Sequence, residues 1–241
     1  MDKIRLDLAL FEAGLTSSRS QAENYIKLGL VSIGNKIITK SGTLVNVSEL
    51  TGLKINIQQQ YVSRAALKLD SVIEKFNIAF KDKVVLDVGS STGGFTQLAI
   101  LKGARKVIAV EKGSDQLHES LRSNRAIELH EKTDIRDFKT KDNIDLVVID
   151  VSFVSLRDIL PAIYKLSNKE TSILAMVKPQ FEAINANFKH KGVIKNEKIR
   201  RVILKDFENW VAADFVVINK ADSQVAGAKG NHERFYLLKK V

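Results

Sequence analysis

The chain has 241 residues, 44% of them hydrophobic, with no cysteine and a formal net charge of +10. That length suits one large domain, or one of ordinary size plus a small one. The lack of cysteine excludes disulfides, thiolate metal sites and cysteine nucleophiles. The cationic surplus favours a polyanionic partner, most simply nucleic acid.

The opening residues, Met1-Asp2-Lys3-Ile4-Arg5-Leu6-Asp7, carry charges where a secretory signal needs an apolar core. No run of about eighteen apolar residues is present to span a bilayer as a helix. The expected location is the cytoplasm, with no membrane partner. Leu6, Ala9, Leu10 and Ala13 recur at helical spacing, and Gly14 closes that helix. Ser18-Arg19-Ser20-Gln21 reads as a capping box, with Ser18 capping and Gln21 reaching back. The helix it opens runs to about Leu28 and stops at Gly29. Two short apolar runs flank Gly34-Asn35 and predict a hairpin, and residues 53–57 alternate like a further strand. These elements make residues 1–58 a small α+β domain. Gln58-Gln59-Gln60 is a polar break with no apolar face, so a linker is placed over 59–64 and a second domain over 65–241.

Tyr61 to Phe76 is predicted helical. Ala65, Leu69, Val72, Ile73 and Phe76 form one stripe, and Arg64, Lys68 and Lys75 fall on the opposite face. Strands are predicted at 83–88, 106–111, 127–130, 145–150, 172–178, 215–220 and 234–239, with helices in most of the early gaps. Several are continuous Val/Ile/Leu runs, as parallel strands buried on both faces should be. This is a doubly wound α/β pattern. The last two strands lack an intervening helix, which points to antiparallel pairing.

After the first of these strands comes Asp87-Val88-Gly89-Ser90-Ser91-Thr92-Gly93-Gly94-Phe95, a glycine-rich turn opening a helix. Such a turn lets backbone approach a ligand and offers helix N–H groups to an anion. Glu111 ends the second strand, where an acid can accept both hydroxyls of a ribose. Asp134 follows the third strand, where an adenine would lie, and Asp150 ends the fourth, beside the expected reactive carbon. That spacing alone does not separate NAD from S-adenosylmethionine, although the glycines do not follow G-x-G-x-x-G. Lys3, Arg5, Arg19, Lys27 and Lys36 are candidate phosphate contacts in the small domain. Lys189, Lys191, Lys195, Lys198, Arg200 and Arg201 form a second basic region. His118, His130, His190 and His232 lack ligand spacing, so no metal is expected.

Several blocks together resemble a known family. Arg5-Leu6-Asp7 followed by Gly14-Leu15-Thr16-Ser17-Ser18-Arg19-Ser20-Gln21-Ala22 is similar to the S-four-type RNA-binding domain. Tyr61-Val62-Ser63-Arg64, Gly93-Gly94-Phe95-Thr96, Asp150-Val151-Ser152-Phe153-Val154-Ser155-Leu156, Val177-Lys178-Pro179-Gln180-Phe181-Glu182 and Lys191-Gly192-Val193-Ile194 extend the likeness along nearly the whole chain. In this order they resemble the TlyA (haemolysin A) family.

The resemblance implies a Rossmann-like, FtsJ-like class I methyltransferase domain with a seven-stranded sheet whose last strand is antiparallel. It implies S-adenosylmethionine as cofactor, the ribose 2′-hydroxyl of cytidines as target, and ribosomal RNA or ribosomal subunits as partner. Carried over residue by residue, the implied catalytic tetrad is Lys68, Asp150, Lys178 and Glu233. Asp87, Gly89, Ser90, Ser91, Thr92, Gly93, Gly94, Phe95, Glu111, Asp134 and Asp150 are the expected cofactor contacts. Ser18 and Arg64 join the basic residues expected on RNA.

Three departures stand out: Ala65-Ala66 replaces the usual Gly-Gly, Glu111 replaces Asp, and the loop before Gly230 lacks the usual Ser-Pro. The competing expectations are a small-molecule methyltransferase or NAD enzyme, a non-catalytic RNA-binding or ribosome-assembly protein, and a cytolysin, as the family label suggests.

Overall fold

A computed structural model describes residues 3–16, 18–27, 29–55, 61–183, 192–225, 227 and 230–241, with the side chains of Asn24 and Lys27 left out. The chain divides into two compact units, Met1–Arg64 and Ala65–Val241.

The first unit runs β1 (Lys3–Arg5), α1 (Leu6–Glu12), α2 (Arg19–Lys27), β2 (Val31–Ile33), β3 (Lys36–Ile38), β4 (Leu44–Asn46), a 3-10 turn (Val47–Gly52) and β5 (Leu53–Ile55). β2 and β3 form the predicted hairpin around Gly34-Asn35, and β5 pairs on the other side of β2. β1 and β4, which pair antiparallel, were not foreseen. Leu6, Leu10, Tyr25, Ile26 and Val31 make the core of this unit. Ser18 Oγ accepts the Gln21 N–H at 3.2 Å, as a cap should. The Gln21 side-chain amide donates to Tyr25 Oη at 3.0 Å and to the Tyr61 carbonyl at 3.4 Å. Residues 56–57 of the predicted last strand and 59–60 of the predicted linker lie outside the described residues.

α3 (Arg64–Phe76) leads into the second unit. There follow β6 (Val84–Val88), α4 (Gly94–Leu101), β7 (Lys106–Val110), α5 (Glu119–Arg122), β8 (Ile127–His130), β9 (Leu146–Ile149) and α6 (Leu156–Leu166). Then come β10 (Ser172–Val177), α7 (Pro179–Glu182), α8 (Glu197–Val211), β11 (Phe215–Asp222) and β12 (Arg234–Lys240). Seven strands form one sheet in the order β11-β12-β10-β9-β6-β7-β8. β6 to β10 run parallel, and β12 is antiparallel to both neighbours. β6 and β9 are buried along their whole length; β9 is apolar throughout, and β6 is apolar except at Asp87. On one face Phe207 of α8 meets Tyr236 of β12, with ring centroids 5.4 Å apart.

The hairpin of β11 and β12 inserts the last strand between β11 and β10, so that Arg234 faces Val177. Glu233 and Lys178 therefore lie at the same sheet edge, one residue beyond that pair.

Lys68 corrects the helix reading. It is only 8% exposed and is buried with the apolar stripe. It precedes Val72 by four positions, about 40° around a helix, so it belongs to the flank of the stripe and not to the opposite face.

Candidate active site

The carboxyl ends of the parallel strands surround a cavity of about 530 Å³, lined among others by Gly89, Glu111, Asp134, Asp150, Ser152 and Phe153. That is a volume suited to a small ligand.

The turn after β6 is tied to β7: the N–H groups of Gly89 and Ser90 donate to the Val110 carbonyl at 2.9 and 3.3 Å. Gly89 adopts φ +80°, and a Cβ there would stand 2.9 Å from the Asp150 carbonyl oxygen. Only glycine lets these two strand ends come so close. Ser91 and Thr92 are exposed, whereas Gly93, Gly94 and Phe95 are buried at the start of α4. The Phe95 ring faces Phe235 at 6.3 Å, so it anchors the helix in the core.

Asp87 is fully buried under this turn. Its Oδ2 accepts from Thr96 Oγ1 at 2.6 Å, and its Oδ1 has no partner among the described residues. Burial pushes the carboxyl up to about 7, and the neighbouring Asp150 and Glu111 add to the shift. Ser90 Oγ is also buried without a partner among the described residues. An orphaned acceptor, an orphaned hydroxyl and a helix N-terminus at one turn fit a ligand end that carries both an ammonium and a carboxylate.

Glu111 is already engaged. One oxygen accepts from Ser91 N–H at 2.9 Å, and the other from Gly113 N–H at 2.7 Å and the Gln116 amide at 3.4 Å. A carboxylate has about four acceptor positions. One further hydroxyl can be taken directly, and a second only by displacing Gln116. Asp134 is forked by Arg136 at 2.9 and 2.6 Å, receives its own chain's N–H from Arg136 at 3.0 Å, and pairs with Lys112 at 3.2 Å. The Arg136 guanidinium holds its carboxyl well below the usual range. As the side chain stands, no acceptor position is left for an adenine amino group.

Two lysine–carboxylate pairs stand at the same sheet edge. Lys178, the first residue after β10, lies 2.6 Å from Asp150 Oδ1. That contact is off the line of a hydrogen bond; the directed bond goes to Ser152 Oγ at 2.7 Å. Lys68 Nζ donates to Glu233 Oε2 at 2.5 Å, with side chains only 10% and 3% exposed. Gly227 closes over this second pair: a Cβ there would fall 2.3 Å from Glu233 Oε1. Ser152 and Gly227 received no role in the sequence reading. An isolated glycine in a loop signals close backbone approach, but it does not say to what.

Arg200 does not belong to an RNA-facing surface. It is 4% exposed, donates Nε to the His232 carbonyl at 3.0 Å and pairs through Nη2 with Asp222. It holds the strand end that carries Glu233. Its neighbours Lys195, Lys198 and Arg201 are exposed. In the first unit Arg5 and Arg19, each about half exposed, both lie 3.0 Å from the buried Asp7. The hydrogen bond from Arg5, helped by Arg19, holds the Asp7 carboxyl at about 2 despite burial. Lys3, Ser18 and Lys36 are exposed and Arg64 is partly buried. The Lys27 side chain, Lys189 and Lys191 lie outside the described residues.

A sheet of this order, with an antiparallel last strand inserted beside β10 and a glycine turn after the first strand of the parallel set, defines a methyltransferase of the Rossmann-like class. The chain belongs to the FtsJ-like methyltransferase family, whose model matches residues 61–240, and within it to the TlyA family. The S4 domain model matches residues 4–50.

The 23S rRNA (cytidine-2'-O)-methyltransferase TlyA of Campylobacter jejuni is 44% identical over 189 residues, 77% of this chain and 74% of that protein. The 16S/23S rRNA (cytidine-2'-O)-methyltransferase TlyA of Mycobacterium tuberculosis is 33% identical over 241 residues, 98% of this chain and 90% of that one. A solved structure from Streptococcus thermophilus, provisionally described as a hemolysin, superimposes with a TM-score of 0.73 at 32% identity, covering 100% of this chain and 90% of its own. Among the described residues no helix is long and apolar enough to cross a membrane.

Proposed function

We propose that this protein transfers a methyl group from S-adenosylmethionine to the 2′-hydroxyl of a cytidine in ribosomal RNA. The observation that carries this reading is the pair of buried lysine–carboxylate contacts, Lys178 with Asp150 and Lys68 with Glu233, at one edge of a methyltransferase sheet. The TlyA names of two relatives supply the substrate.

When bound, S-adenosylmethionine supplies an activated methyl group and a neutral thioether as leaving group. Asp87 and the N–H groups of the turn would hold its methionine end, and Glu111 would hold its ribose. The bound group would supply the methyl, and this chain's residues would align the accepting hydroxyl and take up its proton. Lys178 Nζ, directed by Ser152 and Asp150, orients that hydroxyl and receives the proton when the amine is neutral. Lys68 and Glu233, bonded to each other at the same sheet edge, complete the proposed set.

The direct test is transfer of labelled methyl groups to separated ribosomal subunits and to free ribosomal RNA, followed by mapping of the modified nucleotide. Label at a cytidine ribose is expected. Label on a base, or none on any of these substrates, rejects the reading.

Asp87 supplies a pH signature. Its carboxyl, raised from 3.8 to about 7 in the folded protein, keeps a proton that the unfolded chain releases. The folded free protein is therefore favoured by this group below 3.8, and that advantage is lost as pH rises through about 7. Cofactor binding needs the ionised form, so affinity should increase as pH is raised toward 7. Asp87→Asn is expected to raise the melting temperature at pH 8 and to weaken cofactor binding on the order of ten- to a hundred-fold. Calorimetric titration across pH, with melting curves, checks both signs.

The small domain is read as the RNA-positioning unit. Arg19→Ala should weaken binding of unrelated structured RNAs to a similar degree and lower the slope of log affinity against log salt by about one. Filter binding over a salt series measures it, and an unchanged slope removes Arg19 from the phosphate contacts.

A further inference from the structure

Glu182 ends α7 and is 1% exposed. Its two oxygens are divided between two donors at the start of α6. Oε2 accepts from Ser155 Oγ at 2.6 Å, and Oε1 accepts from the Leu156 N–H at 2.7 Å. Arg157 Nε lies 3.7 Å from Oε2. A carboxylate at the first turn of an eleven-residue helix is favoured by the helix dipole and by free N–H groups. Its burial works the other way and pushes the carboxyl up.

The connection this makes is between two loops. One follows β9 and carries Asp150 and Ser152; the other follows β10 and carries Lys178. They touch at two places: Lys178 reaches Asp150 and Ser152 at the near end, and Glu182 reaches Ser155 and Leu156 at the far end. Between these points the first loop is strained. Phe153 sits at φ +63°, a left-handed conformation that costs a non-glycine residue about 1–3 kcal/mol. Its side chain is 92% exposed, with its ring 5.4 Å from Phe181, the residue before Glu182. A loop in that conformation persists only if both its ends are held.

We infer that Glu182 is the positioning residue of this site: its carboxylate clamps the strained β9–α6 loop to α7 and so keeps Ser152 Oγ and Asp150 on the Lys178 amine. The catalytic part of this inference rests on the function proposed above.

The test uses the full chain with Glu182→Gln and Ser155→Ala. Glutamine keeps the shape but has one acceptor oxygen for two donors. The serine variant removes the hydrogen bond to Glu182 together with the N-cap bond that Ser155 Oγ accepts from the Arg157 N–H at 3.1 Å, and it decides the matter by the same criteria if the glutamine variant does not fold. Hydrogen exchange of peptides covering 150–156, the cofactor dissociation constant, and kcat and KM on ribosomal subunits are measured. Expected is faster exchange confined to that loop, with kcat lowered about ten- to a hundred-fold in Glu182→Gln and less in Ser155→Ala. Cofactor affinity and KM should stay within about two-fold. Unchanged loop exchange, an unchanged kcat, or a loss spread equally over exchange, cofactor binding and KM overturns the positioning role. If the unaltered protein transfers no methyl group while Glu182→Gln still loosens only this loop, the clamp stands and the proposed function falls.

Discussion

Lys178→Ala is expected to abolish methyl transfer while leaving cofactor binding intact. The cavity wall includes Gly89, Glu111, Asp150 and Ser152 but not Lys178, so the ligand-holding surface survives the truncation. What is lost is the one amine placed by both Asp150 and Ser152, at 2.6 and 2.7 Å. Positioned proton transfer contributes about 10²–10⁴-fold to a rate, or roughly 3–5 kcal/mol of barrier. The fall should therefore appear in single-turnover rates on ribosomal RNA at saturating cofactor. Calorimetry on the same preparation should show an affinity near that of the unaltered protein. A variant that turns over at a near-normal rate would remove Lys178 from the chemistry, and with it the central assignment.

The second large effect separates stability from activity. Lys68 and Glu233 are both buried and bonded to each other. Taking two charges out of water is costly, and the pair is tolerable only because each compensates the other. Glu233→Ala strands a buried ammonium and is expected to cost about 3–5 kcal/mol, lowering the melting temperature by roughly 10 °C in a unit of this size. Lys68→Met combined with Glu233→Leu replaces the pair by apolar volume, and most of the lost stability should return. Methyl transfer should not return with it, because the charges themselves are proposed to act on the substrate side. Melting curves and transfer assays on the single and double variants decide the point. An active double variant makes the pair purely structural; an unshifted melting temperature in Glu233→Ala denies its burial.

Much of the site was legible because it is written in neighbouring residues. The glycine turn follows an apolar strand directly, and Glu111 and Asp150 end strands whose apolar runs can be counted. Where the sequence reading falls short, the missing information lies in specific contacts, some across the fold and some only two residues away. Arg200 stands in a basic stretch, yet Asp222 and the His232 carbonyl draw it inward. Asp134 stands where an adenine partner should, yet Arg136, two residues on, takes both its oxygens. Glu111 is shared with Ser91 and Gly113. Lys68 looked solvent-facing because its helix flank is ambiguous until something is packed on it.

By itself the sequence determined the two-part organisation, the seven strands, the glycine turn and the residue types proposed to do the chemistry. These follow from periodicity and local backbone preference, which act over a few residues. Only the tertiary structure decided which charges meet. The Lys68–Glu233 bond joins positions 165 residues apart. It exists because β12 inserts antiparallel between β10 and β11 and brings its first residues back to the edge where Lys178 leaves the sheet. No local pattern encodes that contact. It results from strand order, and from burial that sets the two charges against each other.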